Sequence, residues 1–176
     1  MLTHMNLMNY EEYLESAKSE EIIFINELYD QGQILNVGLR EIMNIDKHVR
    51  ILVITSTMCK DSATIIPFLI KLSQFNKKIK VEFLLRNDNE ELLKNICGEK
   101  NIPAILVLDE NDNVDRKFIE FPKEVKELLI KNPAEKTKEI INEMRSGKYN
   151  QFIQEDLIRL ITGKDYEYIS FKRLDK

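Results

Sequence analysis

Cys59 and Ser62 stand three residues apart, where an apolar run gives way to helical spacing. Residues 50–55 read as a short buried strand. Beyond Ala63, apolar side chains at 65, 66, 68, 69 and 72 recur at the interval of one helix face. A cysteine at that junction occupies the first turn of a helix, where unpaired N–H groups and the positive end of the helix dipole favour thiolate over thiol. Thiolate is the species that attacks disulfides, so the placement points to nucleophilic or redox chemistry. Ser62 can cap or solvate the helix start, and its hydroxyl can also donate to a Cys59 thiolate one turn away. Asp61 suits a helix N-terminus but sets negative charge near the sulfur, with the option of turning to solvent. Lys60 pulls the other way, as a solvated and screened cation. Forty-four residues after Cys59, Ile102 and Pro103 open a second apolar run, Ala104 onward. A proline there removes a ladder donor and needs a reason.

Cys-x-x-Ser on a strand-to-helix turn, Pro67 eight residues on, and the Ile-Pro step before a strand together resemble the thioredoxin superfamily. In thioredoxin the motif is Cys-Gly-Pro-Cys, with a helix proline and a cis proline at the same two spacings. Cys59, Ser62, Pro67, Ile102 and Pro103 fall on those positions. Thr57 to Ser62, with Arg86 after the next strand, is similar to a monothiol bacterial branch in which Asp follows Cys-x. The resemblance covers residues 48 to 131. It implies that Cys59 and Ser62 are the catalytic pair. It also implies that Pro103 is cis against Cys59, and that Met58, Lys60, Asp61, Ile102 and Pro103 form the substrate-binding surface. Several positions depart from the family. Ser62 replaces the resolving cysteine, and Met58 the tryptophan before the motif. Val53 stands where thioredoxin buries an aspartate, and Leu84 where a lysine partners it. With no second thiol to deprotonate, these losses are consistent with one another.

The chain's 176 residues suit one domain with extensions, and 43% apolar with 32% charged content is ordinary for a globular protein. Net charge is −4 with basic residues dispersed, so no nucleic-acid surface is expected. No apolar run reaches bilayer length, and the first ten residues lack the basic start and apolar core of a signal peptide. Two cysteines outside any structural pairing fit a reducing cytoplasm. The abundance of Lys, Asn and Ile suggests a bacterial genome rich in AT.

Along the chain, residues 9–30 read as helical, with Ser16 and Ser19 as cap candidates and an apolar stripe of Ile22, Ile23, Ile25, Leu28 and Tyr29. A short helix is expected over 38–44. Then come strand 50–56, helix 60–75, strand 79–86, helix 89–98, strand 103–109, a turn at Asn111, Asp112 and Asn113, strand 114–120 and helix 123–131. Asn132 and Pro133 break the chain before helices at 134–146 and 150–162, and 166–171 reads as an edge strand or ordered tail. The expected fold is α/β and thioredoxin-like, a mixed central sheet flanked by helices. Residues 1–46 form an N-terminal helical extension, 47–131 the core, and 132–176 a C-terminal helical extension packed on it. An apolar stripe at helical spacing must be buried, on the core or in a homodimer through the extensions.

Cys97 reads as a half-buried incidental thiol, since resolving a disulfide at Cys59 would require Cα atoms within about 7 Å. His4 and His48 lack ligand-like neighbours, so no metal is expected, and no cofactor is implied. Arg86 ends a strand on the side of the active loop, as a surface arginine or a guide for an anionic partner.

Two functional readings remain. In one, the chain is a monothiol thiol–disulfide oxidoreductase. Cys59 attacks a disulfide-containing protein, and an external low-molecular-weight thiol releases the product. In the other, the fold is a redox-inactive protein-interaction module. On the first reading Cys59 is the more reactive cysteine and ionises more readily than a free thiol of pKa about 8.5.

Overall fold

Four strands form one mixed sheet in the order β2-β1-β3-β4: β1 (Val49–Thr55), β2 (Ile79–Leu85), β3 (Ala104–Leu108) and β4 (Val114–Ile119). The computed structural model describes residues 5–36 and 38–164. β1 runs parallel to β2 and antiparallel to β3, and β3 pairs antiparallel with β4. Every residue of β1 except Arg50 is buried, the pattern of a central strand covered on both faces. Its side chains alternate: Ile51 and Val53 enter the larger core, Leu52 and Ile54 the smaller one on the other face. The β3–β4 turn is held by the Asp109 carboxylate, which accepts from the backbone N–H groups of Asn111 and Asn113 at 2.8 Å each.

On the larger-core face, α4 (Lys60–Ser73) is buried continuously from Asp61 to Ile70. A helix is apolar all round only when something covers its outer side. Here α2 (Ser19–Gln31), α3 (Leu39–Met43), α7 (Thr137–Arg145) and α8 (Asn150–Thr162) pack on it. Gln154 of α8 is buried and ties that helix to the segment after α2. Its Oε1 accepts from the Leu35 N–H at 2.9 Å, and its Nε2 donates to the Gln33 carbonyl at 3.1 Å. On the other face, α5 (Glu90–Cys97) buries Leu93 against Leu52, Ile54, Leu84 and Leu106. A single 3-10 turn, Arg86–Asp88, links β2 to α5, and α6 (Lys123–Lys131) follows β4.

The helical segment expected over 9–30 is divided into two helices. α1 (Tyr10–Glu15) is capped by Asn9, whose side chain accepts from the Glu12 N–H at 3.0 Å while the Glu12 carboxylate accepts from the Asn9 N–H at 2.7 Å. Ser16 is not an N-cap: it ends α1, its hydroxyl donating to the Tyr13 carbonyl at 2.6 Å. Nor does Ser19 cap α2; it is the first helical residue, and Lys18 precedes it as the cap. Ahead of α1, Met8 and Phe83 exchange two backbone hydrogen bonds, 3.0 and 2.8 Å, along the outer side of β2. Tyr13 stacks on Phe83 with ring centroids 4.8 Å apart. The stripe on α2 is buried only in part: Ile25 is 2% exposed, but Ile23 is 59% and Phe24 39% exposed. The helix expected over 134–146 starts as a 3-10 turn, Ala134–Lys136, before α7. The strand or tail expected at 166–171 and His4 lie outside the described residues. Among the described residues, no helix is long and apolar enough to cross a membrane.

Candidate functional site

Cys59 is the N-cap of α4, with extended backbone (φ −81°, ψ 113°). Two backbone groups meet its sulfur. The Ser62 N–H donates to Sγ at 3.5 Å, and the thiol faces the Ile102 carbonyl oxygen at 3.8 Å. The Ile102–Pro103 peptide bond is cis. Ile102 and Pro103 are buried, and the Pro103 carbonyl accepts from the Glu120 N–H at 2.8 Å, which fixes the loop to the end of β4. The sulfur therefore lies between a helix terminus and the loop that opens β3, and it is half-buried.

Ser62 behaves differently from the expectation. Its residue reaches the sulfur, but through the backbone N–H. The hydroxyl is fully buried and has no hydrogen-bond partner. The reason is the burial of α4: the side chain at 62 is enclosed by packing, and the amide is the group that reaches Cys59.

Asp61 is also corrected. It does not turn to solvent. It is 8% exposed, and Arg145 from α7 grips both its oxygens, Nε at 2.8 Å and Nη2 at 2.9 Å. A carboxylate this buried requires such a partner. Beside it, Glu120 takes a hydrogen bond from the Asn101 amide at 2.9 Å, and its carboxyl is raised above the ordinary carboxylate range by burial and then by the nearby Asp61.

The open side of Cys59 is apolar with an acidic edge. Met58 is 72% exposed, and a shallow depression of about 170 Å³ runs from it and Cys59 to Phe24, Glu20 and Glu21 of α2, with Lys60 at its border. An adjoining depression of about 210 Å³ reaches Arg86, whose Nε is buried and without a partner, although its Nη2 lies 3.7 Å from Glu90. The structure thus brings Met58, Cys59, Lys60, Asp61, Ser62, Ile102 and Pro103 into one neighbourhood. Val53 and Leu84 are packed core residues, 0% and 2% exposed.

Cys97 ends α5, half-buried beside Leu93 and Ile96, and burial pushes its thiol up. Both cysteines are free. His48 is exposed, and among the described residues no cluster of His, Cys, Asp and Glu is placed to hold a metal ion. Among the described residues a larger depression, about 1040 Å³, sits at the opposite end of the strands, around Arg50, Asp109 and Arg116. It holds neither cysteine and lies away from the Ile102–Pro103 loop.

Sequence reasoning missed Arg145, Glu120 and Phe24. Arg145 lies 84 residues from Asp61 with no local pattern linking them. Phe24 had a signal: residues 22–25 are all apolar, more than one helix face can bury.

No curated protein sequence matches this chain. Its overall shape resembles a crystal structure of a protein of unknown function from Pseudomonas aeruginosa, with TM-score 0.73 and 19% identity over 88% of this chain and 92% of that one. It also resembles an HIV epitope-scaffold, with TM-score 0.73 and 17% identity over 89% and 93% of the two chains. At such identities the likeness speaks for the fold. A family model, Thioredoxin_9, described as thioredoxin, matches residues 7–143. That span takes in α1 and α2 as well as the sheet, and this chain belongs to the thioredoxin family.

Proposed function

We propose that the protein is a monothiol thiol–disulfide oxidoreductase of a bacterial cytoplasm, with Cys59 as its nucleophile. The observation that carries this reading is the position of Sγ, between the Ser62 N–H at 3.5 Å and the Ile102 carbonyl at 3.8 Å, at the edge of an exposed apolar surface. A helix-terminal N–H aimed at the sulfur holds it in place for attack, and Met58 and Phe24 offer area to the chain that carries the disulfide.

The substrate class is a mixed disulfide between a protein and a low-molecular-weight thiol. The Cys59 thiolate attacks the sulfur of the small thiol, forming a new S–S bond while the old one breaks. The protein sulfur leaves as thiolate and takes a proton from solvent. A second small thiolate then attacks the Cys59 disulfide, forming a symmetrical small-molecule disulfide and returning Cys59 as thiolate. The two electrons come from the two small thiols. Ser62 cannot take the resolving role, and Val53, unlike a buried aspartate, offers no base for it. Ile102 and Pro103 form the wall along which the substrate backbone lies.

A second reading, a redox-inactive interaction module, is favoured by the exposed side chains of Ile23, Phe24 and Met58. Exchange with a fluorescent mixed-disulfide peptide in the presence of a small thiol separates the two. Turnover that disappears in Cys59→Ser supports the oxidoreductase. Equal, background-level rates for the parent and Cys59→Ser leave the interaction module.

A further inference from the structure

Asp61 stands on the first turn of α4, two residues after the N-cap Cys59, and Arg145 is within electrostatic reach of both. At 8% exposure of Asp61, solvent does little to screen its charge. Arg145 closes that charge with a two-pronged pair, 2.8 and 2.9 Å. Arg145 lies beyond the span matched by the thioredoxin family model, in the last turn of α7. We propose that Arg145 is a positioning residue: by holding Asp61 in a closed ion pair, the C-terminal segment sets the charge felt by Cys59 and hence its reactivity. The inference rests on the reading of Cys59 as the reacting group.

The remaining charged and titratable groups around Cys59 do not replace it. Lys60 is exposed on the first turn of α4, and Glu20 and Glu21 approach from α2. Tyr13, whose hydroxyl lies within electrostatic range of Cys59, is held neutral by burial. Glu120 faces Asp61 from the end of β4 and is another acid. Without Arg145, Asp61 would face Cys59 and Glu120 without its ion-pair partner, with Lys126 acting on Glu120 alone among those groups. Without Asp61, Arg145 would present an unshared cation to the sulfur. The two single substitutions must therefore act in opposite directions, and the double substitution must nearly cancel.

The test uses the full chain in a Cys97→Ser background, so that iodoacetamide reports Cys59 alone, with rates followed by mass spectrometry from pH 5 to 10. Arg145→Met is expected to slow alkylation at pH 7 about three- to tenfold and move the profile to higher pH. Asp61→Asn is expected to move it to lower pH. The double variant should return to within about twofold of the parent, a cancellation that a merely structural role would not produce. If Arg145→Met does not fold, the sign of the Asp61→Asn shift decides: a shift to higher pH overturns the proposal. Two single variants moving the same way, or neither moving the profile, also overturn it. Loss of disulfide exchange in the parent with the alkylation order intact would instead reject the oxidoreductase reading and leave this one standing.

Discussion

On one face of the sheet α4 lies beneath α2, α3, α7 and α8, and its whole circumference is packed; on the other, α5 covers a small cluster with help from the chain around Met5 and Leu7. The two cysteines sit at opposite ends of these helices. Cys59 starts α4, with an N–H aimed at its sulfur, whereas Cys97 finishes α5, where the helix presents carbonyls and burial disfavours the charged thiol. Both thiols border the same apolar cluster, so hydrophobic surroundings do not distinguish them. What distinguishes them is which end of a helix they occupy and how firmly that helix is held. The heavily packed face holds the helix that Cys59 caps; the lightly packed one holds the helix that Cys97 ends.

The sharpest way to break this comparison is to exchange the roles of the thiols. Cys59→Ser should abolish disulfide exchange, while Cys97→Ser should leave it within about twofold, and in the parent Cys59 should be alkylated at least about tenfold faster than Cys97 at pH 7. Equal alkylation rates would erase the distinction.

The next largest effect concerns packing. Leu69 on α4 and Leu93 on α5 are both fully buried. Leu69→Ala should cost about 4 kcal/mol and Leu93→Ala about 2.5 kcal/mol, because the lightly covered face can collapse further into the gap. Urea titration measures both, and a larger loss for Leu93→Ala would reverse the ranking of the faces.

A smaller effect is expected at the rim. Phe24→Ala and Met58→Ala should each raise KM for a disulfide peptide several-fold with little change in melting temperature, since the two side chains are 39% and 72% exposed. An unchanged KM with a lowered melting temperature would make them packing residues.

The smallest effect is with pH. The folded Cys97 thiol is raised above its unfolded value, so its contribution is fully present below the unfolded pKa of about 8.5 and is lost as pH rises through the higher folded value. Replacing Cys97 with Ala should flatten the first decline of stability above about pH 8.5, ahead of any decline from Tyr10, whose hydroxyl is raised to about 12. An unaltered alkaline limb in urea titrations would place the decline elsewhere.

The order of strands and helices was readable because each element carries a clear period: alternation in β1, helical spacing in α4, and an Asn-Asp-Asn turn between β3 and β4. The break between α1 and α2 was not, because apolar spacing continues across it; the decisive signal was the polar pair Asn9 and Glu12, three residues apart at the true start. Spacing also brought Ser62 to Cys59 without telling which of its atoms arrives, a matter decided by the packing around α4. Asp61 could be placed on a helix terminus, but its partner is supplied by a helix distant in the chain. No local rule reveals such a contact. The cysteine at the helix start and the cis-proline loop beside it were therefore legible, and the ion pair behind them was not.

The two outer strands face a shared hazard by different means. β4 presents Asp115, Arg116 and Lys117 in succession, and desolvating such a row deters a second sheet from pairing with it. β2 reads Ile-Lys-Val-Glu-Phe-Leu-Leu, apolar enough to invite a neighbour, and relies instead on the Met8 bridge to Phe83 as a physical stopper. Removing the residues before Asn9 would uncover that edge as a template for strand addition, so the N-terminal segment guards against self-assembly as well as contributing to the core.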